Sequence, residues 1–97
     1  MTYRISKEAQ ADLENIWLYT LENWSAEQAD RYVNLILDEI EYLSSKPDSG
    51  VDVKHIRKGY FLSKVKAHLL FYRVNPAKKE LELIRVLHER MDIESHL

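Results

Sequence analysis

The sequence predicts an α+β fold in which a helical hairpin covers one face of an antiparallel sheet. Three observations predict it. Apolar residues recur at steps of three and four through two consecutive segments between Lys7 and Leu43, with almost no loop between them. After Gly50 the period falls to two, and aromatic and β-branched residues dominate, as strands prefer. A short alternating stretch precedes the helices, so the order is strand, helix, helix, then three or four strands. With 97 residues, 45% of them apolar and 31% charged, the chain reads as one globular domain over residues 1–97.

Each element has a local reason. In "TYRIS", Tyr3 and Ile5 alternate with polar neighbours and form the opening strand. Ser6 offers its side-chain oxygen to the free amides of the first helix. Ala9, Leu13, Ile16, Trp17, Thr20 and Leu21 line one face of that helix, while Glu8, Asp12 and Glu14 sit near its positive end. In "NWSAEQ", Ser25 with Gln28 three residues on makes a capping box, so a second helix starts after a very tight turn. Trp24 is placed to staple that turn against Ala29. The second helix presents Ala29, Tyr32, Val33, Ile36, Leu37, Ile40 and Leu43, and "SSKPDSG" stops it. "VKHIR" is a weak strand, "GYFLSKVKAHLLFYRV" holds two strands or one bent one, and "NPAKKE" is a loop before the last strand, "LELIRVL".

Strict alternation in the last strand puts Ile84 and Val86 on one face and Leu83, Arg85 and Leu87 on the other. Arginine is rarely buried without a partner, so the face with Arg85 is expected to be the one the helices leave open. An open face carrying leucines marks a binding surface.

Composition narrows the chemistry. The chain has no cysteine, which excludes disulfides, thiolate metal sites and a cysteine nucleophile. Its two glycines, Gly50 and Gly59, cannot build a phosphate-cradling loop. His55, His68, His88 and His96 show no metal-ligand spacing, so no metal and no cofactor are expected. Trp17 and Trp24 are explained by packing. No signal peptide or apolar run of membrane length is visible, and a cytoplasmic protein is expected. Residues 1–53 carry four Lys/Arg against eleven Asp/Glu, while residues 54–97 carry ten against five and all four histidines. The basic half could attract an acidic partner or nucleic acid.

Arg57, Arg73, Arg85, His88 and Arg90 leave two readings open. They could converge as a phosphate-holding cluster, with His88 as general acid or base for RNA cleavage. Alternatively they lie over apolar surface and pair with Glu80, Glu82 or Glu89.

Three stretches carry a resemblance to a known family: "AQADLENIWLYTLENWSAEQADRY", "GYFLSKVKAHLLFYRV" and "LELIRVLHERMD". Together, in this order, they resemble the ParE toxins of the RelE/ParE superfamily of bacterial toxin–antitoxin modules. The resemblance covers nearly the whole chain and implies a β-α-α-β-β-β fold. It also implies a non-catalytic toxin that poisons the cleaved DNA gyrase–DNA complex and blocks replication. The implied partners are gyrase and a ParD-like antitoxin with a ribbon-helix-helix DNA-binding part, assembled as a heterotetramer or larger. No membrane association and no sequence-specific contact with nucleic acid are expected. Ribosome-dependent mRNA nucleases belong to the same superfamily and often carry a tyrosine near the chain's end, whereas no tyrosine here follows Tyr72. A non-toxic member that only binds an antitoxin is a further alternative. The expected gyrase-binding residues are Arg85, His88, Arg90 and Met91, in an "RVLHERMD" strand end and tail. The expected antitoxin contacts, chosen for aromatic and apolar content on strands, are Tyr60, Phe61, Leu69, Phe71 and Leu83.

Overall fold

A computed structural model describes residues 1–97. Strand β1 (Thr2–Ile5) leads into helix α1 (Lys7–Asn23), which turns back into α2 (Ala26–Ser45). Both predicted N-caps form: Ser6 Oγ accepts from Ala9 N at 3.0 Å, and Ser25 Oγ from Gln28 N at 3.1 Å. Trp24 is 63% exposed, with its ring against Tyr19, and Trp17 donates from Nε1 to Asp30 at 2.8 Å. A 3-10 turn (Pro47–Ser49) follows, then β2 (Val51–Asp52), β3 (Phe61–Val65), β4 (His68–Asn75), β5 (Glu80–His88) and a one-turn helix α3 (Ile93–His96). No helix is long and apolar enough to cross a membrane.

The sheet has the order β1-β5-β4-β3-β2. Neighbours from β2 to β5 are antiparallel, but β1 runs parallel to β5 on its free edge. Periodicity marks a strand without giving its direction, so this mixed sheet was not readable from the pattern. The expected strand at "VKHIR" is absent. Asp52 accepts from Lys54 N at 2.8 Å, an Asx turn that bends the chain out of the ladder after two residues.

The main core lies between the helices and the sheet. Ala9, Ile36, Ile40, Leu43, Leu70, Tyr72, Leu81, Leu83 and Val86 make one buried cluster there. A second, smaller cluster lies on the opposite sheet face: Val53, Tyr60, Phe71 and Leu87, with Leu62, Leu69, Ile84, Ile93 and Leu97 packed against it. That face was expected to be open. It is covered by the irregular segment 53–60 and by the C-terminal tail.

A β-bulge decides which residues reach which face. Phe71 pairs with Arg85 while Tyr72 pairs with Leu83, so Ile84 is the extra residue on β5. Beyond it the alternation slips by one. Leu83 and Val86 therefore share the helix side, and Ile84 and Leu87 share the other. The expected grouping of Leu83 with Arg85 and Leu87 on an open face is corrected on both counts.

Candidate functional site

The bulge coincides with the end of β1. From Ile84 onward the edge of β5 has no neighbouring strand, and its polar groups need other partners. Ser6 supplies the first: its amide donates to Leu83 O at 3.0 Å and its hydroxyl to Ile84 O at 2.8 Å. Asp12, six residues further along the chain in α1, supplies the next by accepting from Val86 N at 2.9 Å. The same carboxylate takes Arg85 in a two-pronged grip, Nε to Oδ2 at 2.8 Å and Nη2 to Oδ1 at 2.9 Å. Arg85 is thus not a free surface cation. Its hydrogen bonds to Asp12 hold its pKa above the ordinary arginine value against the opposing effect of burial.

The third donor of Arg85, Nη1, reaches His96 O at 2.9 Å, and Arg57 Nη2 reaches Leu97 O at 2.7 Å. Two guanidiniums on the body therefore hold the last two carbonyls of the chain. Ile93 and Leu97 pack their side chains against the second cluster. Between strand and tail the backbone turns tightly: Glu89 N donates to Ala67 O, Met91 N to His88 O, and Arg90 N to His88 Nδ1 at 3.1 Å.

On the other side of the Asp12–Arg85 pair lies a cleft of about 420 Å³ between α1 and the end of β5, lined by Asp12, Asn15, Ile16, Tyr19, His68, Val86, His88 and Met91. This size lies within the usual range of small ligand sites. The His68 and His88 rings meet edge to face at 5.4 Å, and Tyr32 OH lies 2.7 Å from His68 Nδ1. Burial, then the neighbouring His88, lowers the His68 pKa below its ordinary value. The fold therefore favours the neutral ring. Unfolding raises the proton affinity, so stability is present above about pH 6.5 and is lost as pH falls toward the folded pKa. Thermal melts between pH 7.5 and pH 5.5 should show this loss, and a His68→Gln variant should show a flatter dependence.

The expected residues distribute as follows. His88 and Met91 line the cleft, Arg90 is exposed next to them, and Arg85 stands behind it as the partner of Asp12. Arg73 and Arg85 line a second cleft with Arg4 and Lys7, and Arg57 holds Leu97 at its rim. His88, however, lines the other cleft, and the guanidiniums of Arg73 and Arg85 are each paired with an acid. Arg73 and Arg4 both pair with the buried Glu82, and Glu89 pairs with Lys64 at 2.7 Å. Burial alone would raise the Glu82 pKa, but Arg4 and Arg73 together hold it below the usual carboxylate range. Of the five expected antitoxin contacts, Phe61 and Leu83 pack on the helix side, whereas Tyr60, Leu69 and Phe71 belong to the second face. They do not form one surface. Leu83 and Phe71 are at most 1% exposed. Asp12, Asn15, Tyr19, Tyr32 and His68 were missed. Asp12 left a trace in the sequence, as an acid within the apolar stripe Ala9, Leu13, Ile16.

A family model described as the ParE toxin of a type II toxin–antitoxin system, parDE, matches residues 3–93. The chain belongs to the ParE toxin family. It is 38% identical over 95 residues to Toxin ParE1 of Caulobacter vibrioides, covering 98% of this chain and 96% of that protein. Toxin ParE1 of Mycobacterium tuberculosis is 37% identical over the same length and shares of the two chains. Toxin ParE of Escherichia coli is 28% identical, again over 95 residues, covering 98% of this chain and 91% of that one. The fold is shared with a chain of the chromosomal ParDE system of P. aeruginosa, at a TM-score of 0.79 and 20% identity over 91% of this chain and 95% of that one. A chain of the RelBE2 toxin–antitoxin complex of Mycobacterium tuberculosis matches with a TM-score of 0.67 and 21% identity, over 90% and 95%. The ParE family and the RelE/ParE fold implied by the sequence are thus shown.

Proposed function

We propose that this ParE-family chain is a non-catalytic bacterial toxin that inhibits DNA gyrase in the cytoplasm and is neutralised by a ParD-like antitoxin. The observation that supports it, beyond family membership, is the state of His88. A general base needs a free nitrogen lone pair. His88 Nδ1 already accepts from Arg90 N, which places the ring proton on Nε2. With Arg85 bound to Asp12, Arg73 to Glu82 and His88 in a different cleft, neither a base nor a free phosphate clamp is ready for RNA cleavage. Binding is the role that fits these side chains.

In this reading His88, Arg90 and Met91 contact gyrase, and Arg85 positions them by tying β5 and the tail to α1. The antitoxin segment docks at the margin of the covered second sheet face, where Leu69 is half-buried, with Tyr60 in the covering segment and Phe71 beneath it. Phe61 and Leu83 support that face from the core. A supercoiling assay with purified gyrase tests the proposal. The protein should inhibit supercoiling or accumulate cleaved DNA. His88→Ala and Met91→Ala should each raise the inhibitory concentration by roughly tenfold with little change in melting temperature. Codon-specific mRNA cuts in a translation extract would establish the ribonuclease reading in its place, and a chain inert in both assays would be a non-toxic antitoxin binder.

A further inference from the structure

From the hydrogen bond that fixes His88 as a donor and the unpaired cations beside it, we infer that the α1–β5 cleft is a recognition site for a single carboxylate side chain flanked by an apolar residue, presented by a protein partner. This deepens the gyrase reading and rests on it for the partner being a protein. Nδ1 of His88 accepts from Arg90 N, and Nδ1 of His68 is hydrogen-bonded to the Tyr32 hydroxyl at 2.7 Å. The remaining nitrogen of His88, Nε2, then carries the proton in the neutral state. His88, in edge-to-face contact with the His68 ring at 5.4 Å, thus offers a hydrogen-bond donor and no acceptor.

The other polar groups agree with an anionic guest. Asp12 lines the cleft, yet its two oxygens are taken by Arg85 and Val86 N, and its charge is balanced. Glu89, the other nearby acid, is paired with Lys64. Lys66 and Arg90, which flank the two histidines in the chain, are exposed and form no ion pair. The remaining walls, Ile16, Tyr19, Val86 and Met91, are apolar or aromatic, and Tyr19 and Met91 are 62% and 46% exposed. Exposed aromatic and methionine side chains beside directional donors are the composition of a protein-binding hot spot.

A nucleic-acid backbone suits the cleft poorly. Phosphate tracking requires a run of cations, whereas α1 brings Glu14 and Glu22, both exposed and unpaired, along the same helix. One isolated carboxylate meets the donors without crossing those acids.

The test is a nuclear magnetic resonance titration of the full-length, nitrogen-15-labelled protein. The probes are the capped tripeptide acetyl-leucyl-aspartyl-phenylalanine amide, its asparaginyl counterpart, and a short single-stranded oligothymidine. The aspartyl peptide should give saturable shifts at the His68 and His88 rings and at Asn15. The asparaginyl peptide should bind roughly tenfold more weakly, since charge-assisted bonds exceed neutral ones. Asn15→Asp, at an exposed cleft position, should weaken the aspartyl peptide by a similar factor. Equal affinity for both peptides, absence of saturable shifts at the histidines, or saturable oligothymidine binding there would each overturn the inference. The supercoiling assay reads gyrase inhibition separately, so a gyrase inhibitor whose cleft ignores carboxylates would sink this inference alone.

Discussion

Replacing Asp12 by alanine should destabilise the domain by about 3 kcal/mol and loosen its C-terminal tail. Removing one partner of a buried ion pair costs roughly 3–5 kcal/mol, because the other charge is left desolvated and alone. The lower end applies, since the Arg85 side chain keeps 22% of its surface in water against 12% for Asp12. The carboxylate also ends the β5 edge by accepting from Val86 N, and that amide would lose its partner. For a domain of this size such a loss lowers the melting temperature by about 12–24 °C, which a thermal melt reads directly. Asp12→Asn should cost less, because one amide oxygen can still serve either Val86 or Arg85.

The same geometry changes what a toxicity experiment at Arg85 means. Arg85→Ala removes the hold on Asp12 and on His96 O together, so lost toxicity would reflect a displaced tail as readily as a lost contact. The double variant separates the effects. If Asp12 and Arg85 act through each other, removing both should cost clearly less than the sum of the single losses. A sum that is fully additive would show that the two residues act independently.

Asp12 and Arg85 also show how much of the fold and site was legible in the sequence. Helix starts were legible, because Ser6 and Ser25 act on amides only three residues away. The β4–β5 hairpin was legible from its "NPAKKE" loop, whereas the β3–β4 turn, with Lys66 at positive φ and no glycine or proline, left two strands or one bent one open. Where long-range pairing decides, the pattern gave less. Arg85 within an apolar strand and Asp12 within an apolar helix stripe each broke the local rule, and the structure joins these two exceptions across 73 residues. Glu82 repeats the case: an acid inside "LELIR" is buried because Arg4 and Arg73 arrive from β1 and β4. The bulge at Ile84 has no signature in residue type. It nonetheless moved Leu83 to the opposite face from the one alternation assigns, and with it the candidate interface. The tail was illegible for a further reason, since its grip runs through the backbone carbonyls of His96 and Leu97, which any sequence supplies.

Gly50→Ala should be the most damaging small substitution, costing about 3–4 kcal/mol. The backbone is not the cause: φ at Gly50 is −76°, open to any residue. The cause is the Tyr72 ring. A Cβ at position 50 would lie 2.2 Å from its hydroxyl oxygen and under 3 Å from two ring carbons, closer than nonbonded atoms come. Tyr72 cannot retreat, because its side chain is fully buried and stacked on Phe61 at 5.7 Å. Its hydroxyl accepts from Gly50 N at 3.0 Å and donates to Pro47 O at 2.8 Å, pinning the turn before β2 to the centre of the sheet. Overpacking costs about 1–3 kcal/mol, and each hydrogen bond lost adds about 1 kcal/mol. Tyr72→Phe removes those bonds without the clash and should cost less, about 1–2 kcal/mol. The consequence reaches the second sheet face, since segment 53–60, which brings Val53 and Tyr60 over Phe71, starts from this turn. Amide hydrogen exchange should therefore quicken around Val53 and Tyr60 in Gly50→Ala before it does in α1. Uniform quickening through the whole chain would mean that the turn and the main core melt together, and that the second face has no separate stability to lose.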